Sequence, residues 1–123
     1  MGRYADDIAV PGCLHAAFVR SPHASAGIRR IDASPALAVP GVIAVLTGAD
    51  LAALATPLRI APPIDGLLPA EMPPLPVDAA RFAGDPVALV LAEDRNAARD
   101  GAEAVEVAWD PRPPVTSITE AAA

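Results

Sequence analysis

Cysteine and histidine are the residue types with the most versatile side-chain chemistry in this sequence. The one cysteine and the two histidines lie close together in the sequence, at Cys13, His15 and His23. Zinc prefers such ligands, but a structural zinc site takes about four of them at defined spacing, and the chain has one cysteine and two histidines. Cys13 and His15 would share one face of a strand, yet no third group is placed to orient the histidine of a nucleophile pair. These residues therefore predict neither a metal site nor a catalytic pair.

Two pairs of neighbouring acidic residues are the remaining candidates for chemistry. Asp6 and Asp7 are adjacent, and adjacent side chains of a strand point to opposite faces, so a solvated turn is the better interpretation. Glu93 and Asp94 precede a predicted helix, where carboxylates are favoured by the free N–H groups. The sequence has no Gly-x-Gly-x-x-Gly or P-loop pattern. No residue is therefore predicted to be catalytic, cofactor-binding or metal-binding.

Hydrophobic periodicity predicts the elements that surround these side chains. Strands are expected over 13–20, 26–32, 42–46, 87–91 and 105–109, and helices over 34–39, 51–54 and 95–104. The continuous apolar run over 42–46 indicates an interior strand. The run over 87–91 is apolar on both faces, as in a buried parallel strand. We therefore expect an α+β (mixed α/β) fold with a small mixed sheet, in which 87–91 and 105–109 are the parallel strands of a right-handed βαβ unit.

The helix predicted over 95–104 has an unusually small apolar face. Ala98, Gly101, Ala102 and Val105 recur at i, i+3, i+4 and i+7, the spacing of one helical stripe. Side chains this small let a helix approach a sheet closely. The stripe therefore predicts that a large side chain at Gly101 would push the helix off the sheet.

Residues 56–76 differ in composition from the rest of the chain. Seven of the 15 prolines fall here, at positions 57, 62, 63, 69, 73, 74 and 76, and this density disfavours both helix and central strand. The sequence therefore predicts a long loop, but one too apolar for a linker. Its candidate interface residues are Leu58, Ile60, Ile64, Leu67, Leu68 and Met72. The alternative is that the loop folds back and covers the core of its own domain.

Length and composition limit the class of protein. A chain of 123 residues fits one domain over 1–123, and 53% hydrophobic with 20% charged residues argues against disorder. Aromatic residues make up 3% of the chain, so small aliphatic side chains must fill the core.

Charge and hydropathy exclude several partners. The net charge is −6 and all nine basic residues are scattered arginines, which excludes the basic stripe expected of a protein that binds nucleic acid or an anionic membrane. No segment approaches the ~20 apolar residues of a membrane-spanning helix. The first residues are acidic where a signal peptide needs an apolar run, so we expect a cytoplasmic protein.

Four segments together carry a resemblance to a known family. They read RYADDI (3–8), PGCLHAAFVRSPHA (11–24), ALAVPGVIAVLTGADL (36–51) and RFAGDPVA (81–88), and the last continues to Trp109-Asp110-Pro111. In this order they resemble the α/β hammerhead domain of the large, molybdenum-containing subunit of xanthine dehydrogenase, aldehyde oxidase and carbon monoxide dehydrogenase. One departure is His23-Ala24-Ser25-Ala26, where members often read Pro-His-Ala-His-Ala.

The resemblance implies a structural, non-catalytic lobe of an oxidoreductase. Family members hydroxylate heterocycles or aldehydes, or oxidise carbon monoxide, at a molybdopterin centre, and electrons leave through iron–sulfur clusters and FAD. The implied partners are the remaining cofactor-binding region of the large subunit and the iron–sulfur and flavin subunits. The family's pterin-binding and active-site motifs lie beyond this region, so we expect the chain alone to bind no molybdenum, flavin or iron. The loop over 56–76 would approach the cofactor-binding region and the substrate channel.

A second hypothesis is a stand-alone binding or assembly module that reuses this fold without redox chemistry. The chain ends at Ala123, where the family continues, which is expected of a trimmed piece of a longer protein, a separately encoded piece or a truncated gene product. Neighbouring genes for the missing region and its partner subunits would favour the first hypothesis.

Overall fold

The structure, a computed structural model, describes residues 2, 4, 8, 10–61, 63–66 and 70–122. The strands are β1 (His15–Arg20), β2 (Ala26–Asp32), β3 (Val42–Thr47), β4 (Leu58–Ile60), β5 (Ala70–Met72), β6 (Ala79–Ala80), β7 (Pro86–Ala92) and β8 (Glu106–Pro111). The helices are α1 (Ser34–Leu37), α2 (Gly48–Ala52), α3 (Arg95–Ala104) and α4 (Ile118–Ala121). The predicted α+β class is confirmed. The interpretation of 1–123 as one domain stays a prediction.

One three-stranded sheet, which we call sheet one, has β7 at its centre and β1 and β3 at its edges. Both pairings are antiparallel, with Ala17 and Val45 opposite Val90. The expectation of an interior strand over 42–46 was wrong, because β3 has only one strand neighbour among the described residues. β7 is the buried central strand, and Val87, Ala88, Val90 and Ala92 have no exposed surface.

The second three-stranded sheet, sheet two, has the order β6-β2-β8 and is also antiparallel. The predicted parallel pairing of 87–91 with 105–109 was therefore wrong, as were the βαβ unit and the mixed sheet. β7 and β8 do flank α3 in sequence, but they belong to different sheets. An apolar run on both faces is required of any central strand, parallel or antiparallel, so the pattern did not determine the pairing.

Small aliphatic residues form the core, as the composition predicted. One cluster contains Val19, Ala36, Ala80, Val87, Ala88, Val90 and Val105, with Ile28, Ile31 and Val107 of sheet two packed against it. A second cluster joins Ala97 and Ala98 of α3 to Ala92 of β7. Asp94 caps α3, since its carboxylate accepts hydrogen bonds from the N–H groups of Asn96 and Ala97 at 2.8 and 2.9 Å. The core therefore lies between the two sheets and under α3.

A capping box at Thr47 begins α2, which spans 48–52 rather than the predicted 51–54. The Asp50 carboxylate accepts hydrogen bonds from the Thr47 hydroxyl at 2.7 Å and from the Thr47 N–H at 2.8 Å. These bonds, the hydroxyl first, lower the pKa of Asp50 below its usual value near 3.8, because they favour the ionised carboxylate.

The cap at Asp50 should make part of the stability depend on pH. A carboxyl group with a lowered pKa in the folded state contributes stability above its unfolded pKa and loses it as the pH falls through the folded pKa. We expect Asp50→Ala to lower the melting temperature at pH 7, and the difference from wild type to shrink as the pH falls below about 3.8. Thr47→Val, which removes the hydroxyl donor, should show the same trend more weakly. A difference that stays constant with pH would contradict the role of the ionised cap.

The segment over 56–76 is not a structureless loop, which corrects the expectation from its prolines. β4 and β5 pair antiparallel, with Leu58 opposite Met72, Arg59 opposite Glu71 and Ile60 opposite Ala70. We call this two-stranded element the ribbon. Within the described residues, β4 and β5 form no sheet with any other strand.

Candidate partner interface

The reactive side chains singled out in the sequence do not assemble into a site. Cys13 is exposed, and its thiol contacts the Leu14 carbonyl at 3.6 Å. His15 is exposed on β1 opposite Ala92. His23 lies beyond the other end of β1, where its half-buried ring packs edge-on against Trp109 with the ring centroids 5.6 Å apart. This packing role of His23 was not apparent from the sequence, because Trp109 is distant along the chain.

The described part of the chain does not fit a resident metal or pterin. It has no group of three or more His, Cys, Asp or Glu side chains that could hold a metal ion. Nor do its residues include a buried side-chain nitrogen or oxygen that lacks a hydrogen-bond partner and could await a cofactor. Asp6 and Asp7 lie outside the described residues. That the isolated chain binds no molybdenum, flavin or iron stays a prediction.

Three of the six candidate interface residues lie on one face of the ribbon. Leu58 and Ile60 are two positions apart on β4 and so share a face, and Met72 lies directly opposite Leu58. Their exposed fractions are 64% for Leu58, 45% for Ile60 and 53% for Met72. Arg59 and Glu71 oppose each other on the other face and are also exposed. The ribbon is therefore amphipathic, with a solvent-facing apolar side.

The other candidate residues belong to the connection between the two ribbon strands. Ile64 is described and is 62% exposed. Leu67 and Leu68 lie outside the described residues. The described candidates, Leu58, Ile60, Ile64 and Met72, are thus all exposed.

The end of the segment is anchored in the domain instead. Leu75 is 2% exposed and Pro76 is buried. The backbone of Leu75 and Pro76 runs so close to Gly48 that a Cβ atom there would lie 2.7 Å from the Pro76 carbonyl carbon. The described part of the segment therefore has a buried anchor at 75–76 and the exposed ribbon formed by β4 and β5.

A turn over 82–85 is another surface feature, and it overlaps the turn that Gly84-Asp85-Pro86 indicates in the sequence. The Ser21 N–H donates to the Asp85 carbonyl at 2.9 Å, and the Gly84 N–H donates to the Ser21 carbonyl at 2.8 Å. The Asp85 carboxylate accepts the Arg81 N–H at 2.9 Å. These bonds hold Arg81 and Phe82 at the surface, and Phe82 is 54% exposed. The sequence indicates the turn, but only an aromatic residue beside an arginine signals a surface feature there.

The described residues define an α+β domain of two antiparallel sheets with an exposed two-stranded ribbon. Residues 1–113 match the family described as "Aldehyde oxidase and xanthine dehydrogenase, a/b hammerhead domain". The chain therefore belongs to this hammerhead family. In the part of the chain that the structure describes, no helix is both long and apolar enough to cross a membrane.

Individual relatives agree with the family assignment. The chain is 43% identical over 118 residues to the nicotine 6-hydroxylase large subunit of Paenarthrobacter nicotinovorans, covering 90% of this chain and 14% of that subunit. The crystal structure of quinoline 2-oxidoreductase from Pseudomonas putida 86 matches with a TM-score of 0.93 and 39% identity, covering 98% of this chain and 15% of that one.

The Cu,Mo-CO dehydrogenase in its carbon monoxide reduced state matches with a TM-score of 0.85 and 40% identity, covering 98% of this chain and 14% of that one. The chain thus spans about a seventh of the length of these relatives.

Proposed function

We propose that the chain is a structural lobe of a molybdenum hydroxylase large subunit and carries out no catalysis alone. In this proposal the apolar face of the ribbon docks on the cofactor-binding region of the subunit, beside the substrate channel. Molybdopterin belongs to that region, and iron–sulfur and flavin subunits complete the enzyme. The similarity to about a seventh of the nicotine 6-hydroxylase large subunit and of the quinoline 2-oxidoreductase chain supports this assignment. The cytoplasmic location expected from the sequence stays a prediction.

The observation that carries the docking proposal is the exposed apolar face of Leu58, Ile60 and Met72. A two-stranded hairpin alone is at best marginally stable in water, and both faces of this ribbon are exposed. Contiguous apolar surface of this kind commonly marks a protein contact. Burial of these side chains against a partner would both stabilise the ribbon and remove apolar area from water.

Co-purification from the native host tests the proposal. A tagged wild-type chain should bring down a polypeptide that contains stoichiometric molybdenum and that mass spectrometry identifies as a large-subunit cofactor-binding region. Leu58→Asp together with Ile60→Asp should reduce its recovery by roughly tenfold or more, because two charges would enter an apolar interface. Ile118→Asp is the matched control, since Ile118 is 90% exposed on α4 and lies outside the ribbon.

Amide exchange gives an independent readout of the same docking. The ribbon amides over 58–60 and 70–72 should exchange quickly in the isolated chain and become protected in the complex. Slow exchange across the ribbon in the isolated chain would contradict the proposal. So would equal recovery of the molybdenum-containing polypeptide by the double aspartate variant, or recovery of the wild-type chain without molybdenum.

A further inference from the structure

We infer that a groove beside the 82–85 turn binds an extended, acidic segment of a partner polypeptide. The groove, which we call the Arg81 groove, lies between 79–83 and 112–116 and also includes Ala24 and Ser25. Its volume is about 640 Å³. None of its lining residues belongs to the ribbon, although Arg81 and Phe82 also line a neighbouring depression with Glu71 and Met72 of β5. The inference concerns a different occupant and does not rest on the proposed function.

The charge of the groove is opposite to that of the rest of the protein. The chain carries a net charge of −6, yet the groove is lined by Arg81 and Arg112 and by no acidic residue. Within the described residues, neither guanidinium forms an ion pair or a side-chain hydrogen bond. Glu120, near one end, already accepts a hydrogen bond from the Thr116 N–H at 3.3 Å. Two unpaired guanidinium groups favour carboxylates, which arginine binds in bidentate geometry.

The backbone at both arginines is held in place before any partner binds. The backbone N–H of Arg81 donates to the Asp85 carboxylate at 2.9 Å. The backbone N–H of Arg112 donates to the Ser25 carbonyl at 2.9 Å, and its guanidinium lies against Gly27, where a Cβ would be 2.8 Å from Nη2. A backbone that is fixed before binding loses less conformational entropy when a partner binds.

The remaining lining favours a polypeptide over a nucleic acid. Phe82 and Val115 are 54% and 66% exposed, and Pro113 and Pro114 add further apolar surface. Aromatic residues and arginine are enriched at protein interfaces. Nucleic acid binding, in contrast, requires many basic side chains in contact with the phosphates. Prolines cannot donate a ladder hydrogen bond, so the 112–116 side of the groove binds through side chains and not by adding a strand.

Binding of defined peptides to the full 123-residue chain tests this inference. The probe is a blocked nonapeptide of three Glu-Leu-Pro repeats, and its comparator has three Lys-Leu-Pro repeats with the same apolar content. In NMR titrations of the isotope-labelled chain, we expect the acidic peptide to shift the amides of 79–83 and 112–116. We expect the basic peptide to bind at least roughly tenfold more weakly. Raising the salt from about 0.05 to 0.5 M should weaken binding of the acidic peptide severalfold.

Variants of the two arginines complete the test. Arg81→Glu and Arg112→Glu should each weaken binding of the acidic peptide by roughly tenfold, and Phe82→Ser should weaken it without a change in charge. Arg99→Glu is the matched control, because Arg99 is exposed on α3 and outside the groove. The Leu58→Asp and Ile60→Asp ribbon variant should bind the peptide normally, which separates this inference from the proposed function.

Four results would overturn the inference. They are the absence of binding at millimolar peptide, shifts that map elsewhere, equal binding of the basic peptide, and an Arg99→Glu effect as large as that of Arg81→Glu. Tighter binding of an eight-residue oligothymidylate than of the acidic peptide would also overturn it, because the partner would then be a nucleic acid.

Discussion

Gly48→Ala is expected to destabilise the protein by about 3 kcal/mol, although it adds a single methyl group. The added Cβ would overlap the Pro76 carbonyl oxygen and lie 2.7 Å from its carbon and 2.9 Å from the Leu75 carbonyl oxygen. These atoms belong to the backbone and cannot rotate away. The effect runs against helix propensity, which favours Ala over Gly by up to about 1 kcal/mol. The melting temperature should fall by roughly 10 °C.

Two further measurements make the Gly48 prediction specific. Gly2→Ala is the control, because a Cβ there meets no atom within 4 Å, and we expect it to change stability by less than about 0.5 kcal/mol. Limited proteolysis of Gly48→Ala should cut faster between 56 and 76, since the buried anchor at Leu75 and Pro76 would be displaced. A Gly48→Ala protein as stable as wild type would mean that this anchor does not pack against α2.

Gly101→Leu is the second substitution with a large expected effect, again a loss of about 3 kcal/mol. A Cβ at Gly101 would lie 2.7 Å from Val42 Cγ2 and 2.9 Å from Val90 Cγ1. Val42 and Val90 belong to β3 and β7, so the leucine would force α3 away from both strands. The close packing predicted from the small helical stripe is thus present in the structure. Chemical denaturation gives the free energy of unfolding directly.

The exposed side of the same helix provides the control for Gly101. Glu103 is exposed on α3, and Glu103→Leu should leave the free energy of unfolding within about 0.5 kcal/mol of wild type. Both variants add a leucine to one helix, so the difference between them isolates the packing against sheet one. Equal stability of the two variants would refute the close-packing interpretation.

Local patterns predicted the elements better than their pairing. β2 and α3 begin and end at the predicted residues, 26–32 and 95–104, because each combines a clear periodicity with boundary signals such as the Asp94 cap. The pairing of 87–91 was predicted wrongly because its apolar pattern fits the centre of either sheet type. Its neighbours in the structure are β1 and β3. Packing between segments that are far apart in the sequence determines this pairing.

The prolines explain why the ribbon was missed. β4 and β5 contain no proline, and the prolines of the segment flank them at positions such as 57 and 73. Proline excludes a central strand, but it does not exclude two short strands that pair only with each other. The apolar candidates Leu58, Ile60 and Met72 were identified from composition alone. Their position on one face required the register of the pairing.

The Arg81 groove could not have been found from the sequence. Arg81 and Arg112 are distant along the chain, and the scattered arginines suggested no positive surface. The groove forms because the 82–85 turn is hydrogen-bonded to Ser21 and because Arg112 is hydrogen-bonded to Ser25. Neither bond involves a sequence motif that would have predicted it.

The central position of β7 determines the order in which this protein can fold. β1 and β3 hydrogen-bond to β7 within the described residues, and both are synthesised long before residues 86–92 leave the ribosome. β2 likewise cannot pair in sheet two until the two residues of β6 and residues 106–111 of β8 have been synthesised. β1 and β3 therefore stay unpaired until residues 86–92 are available, and formation of sheet one depends on closing long loops, a slow step in folding. Until then, these unpaired strands are open to aggregation.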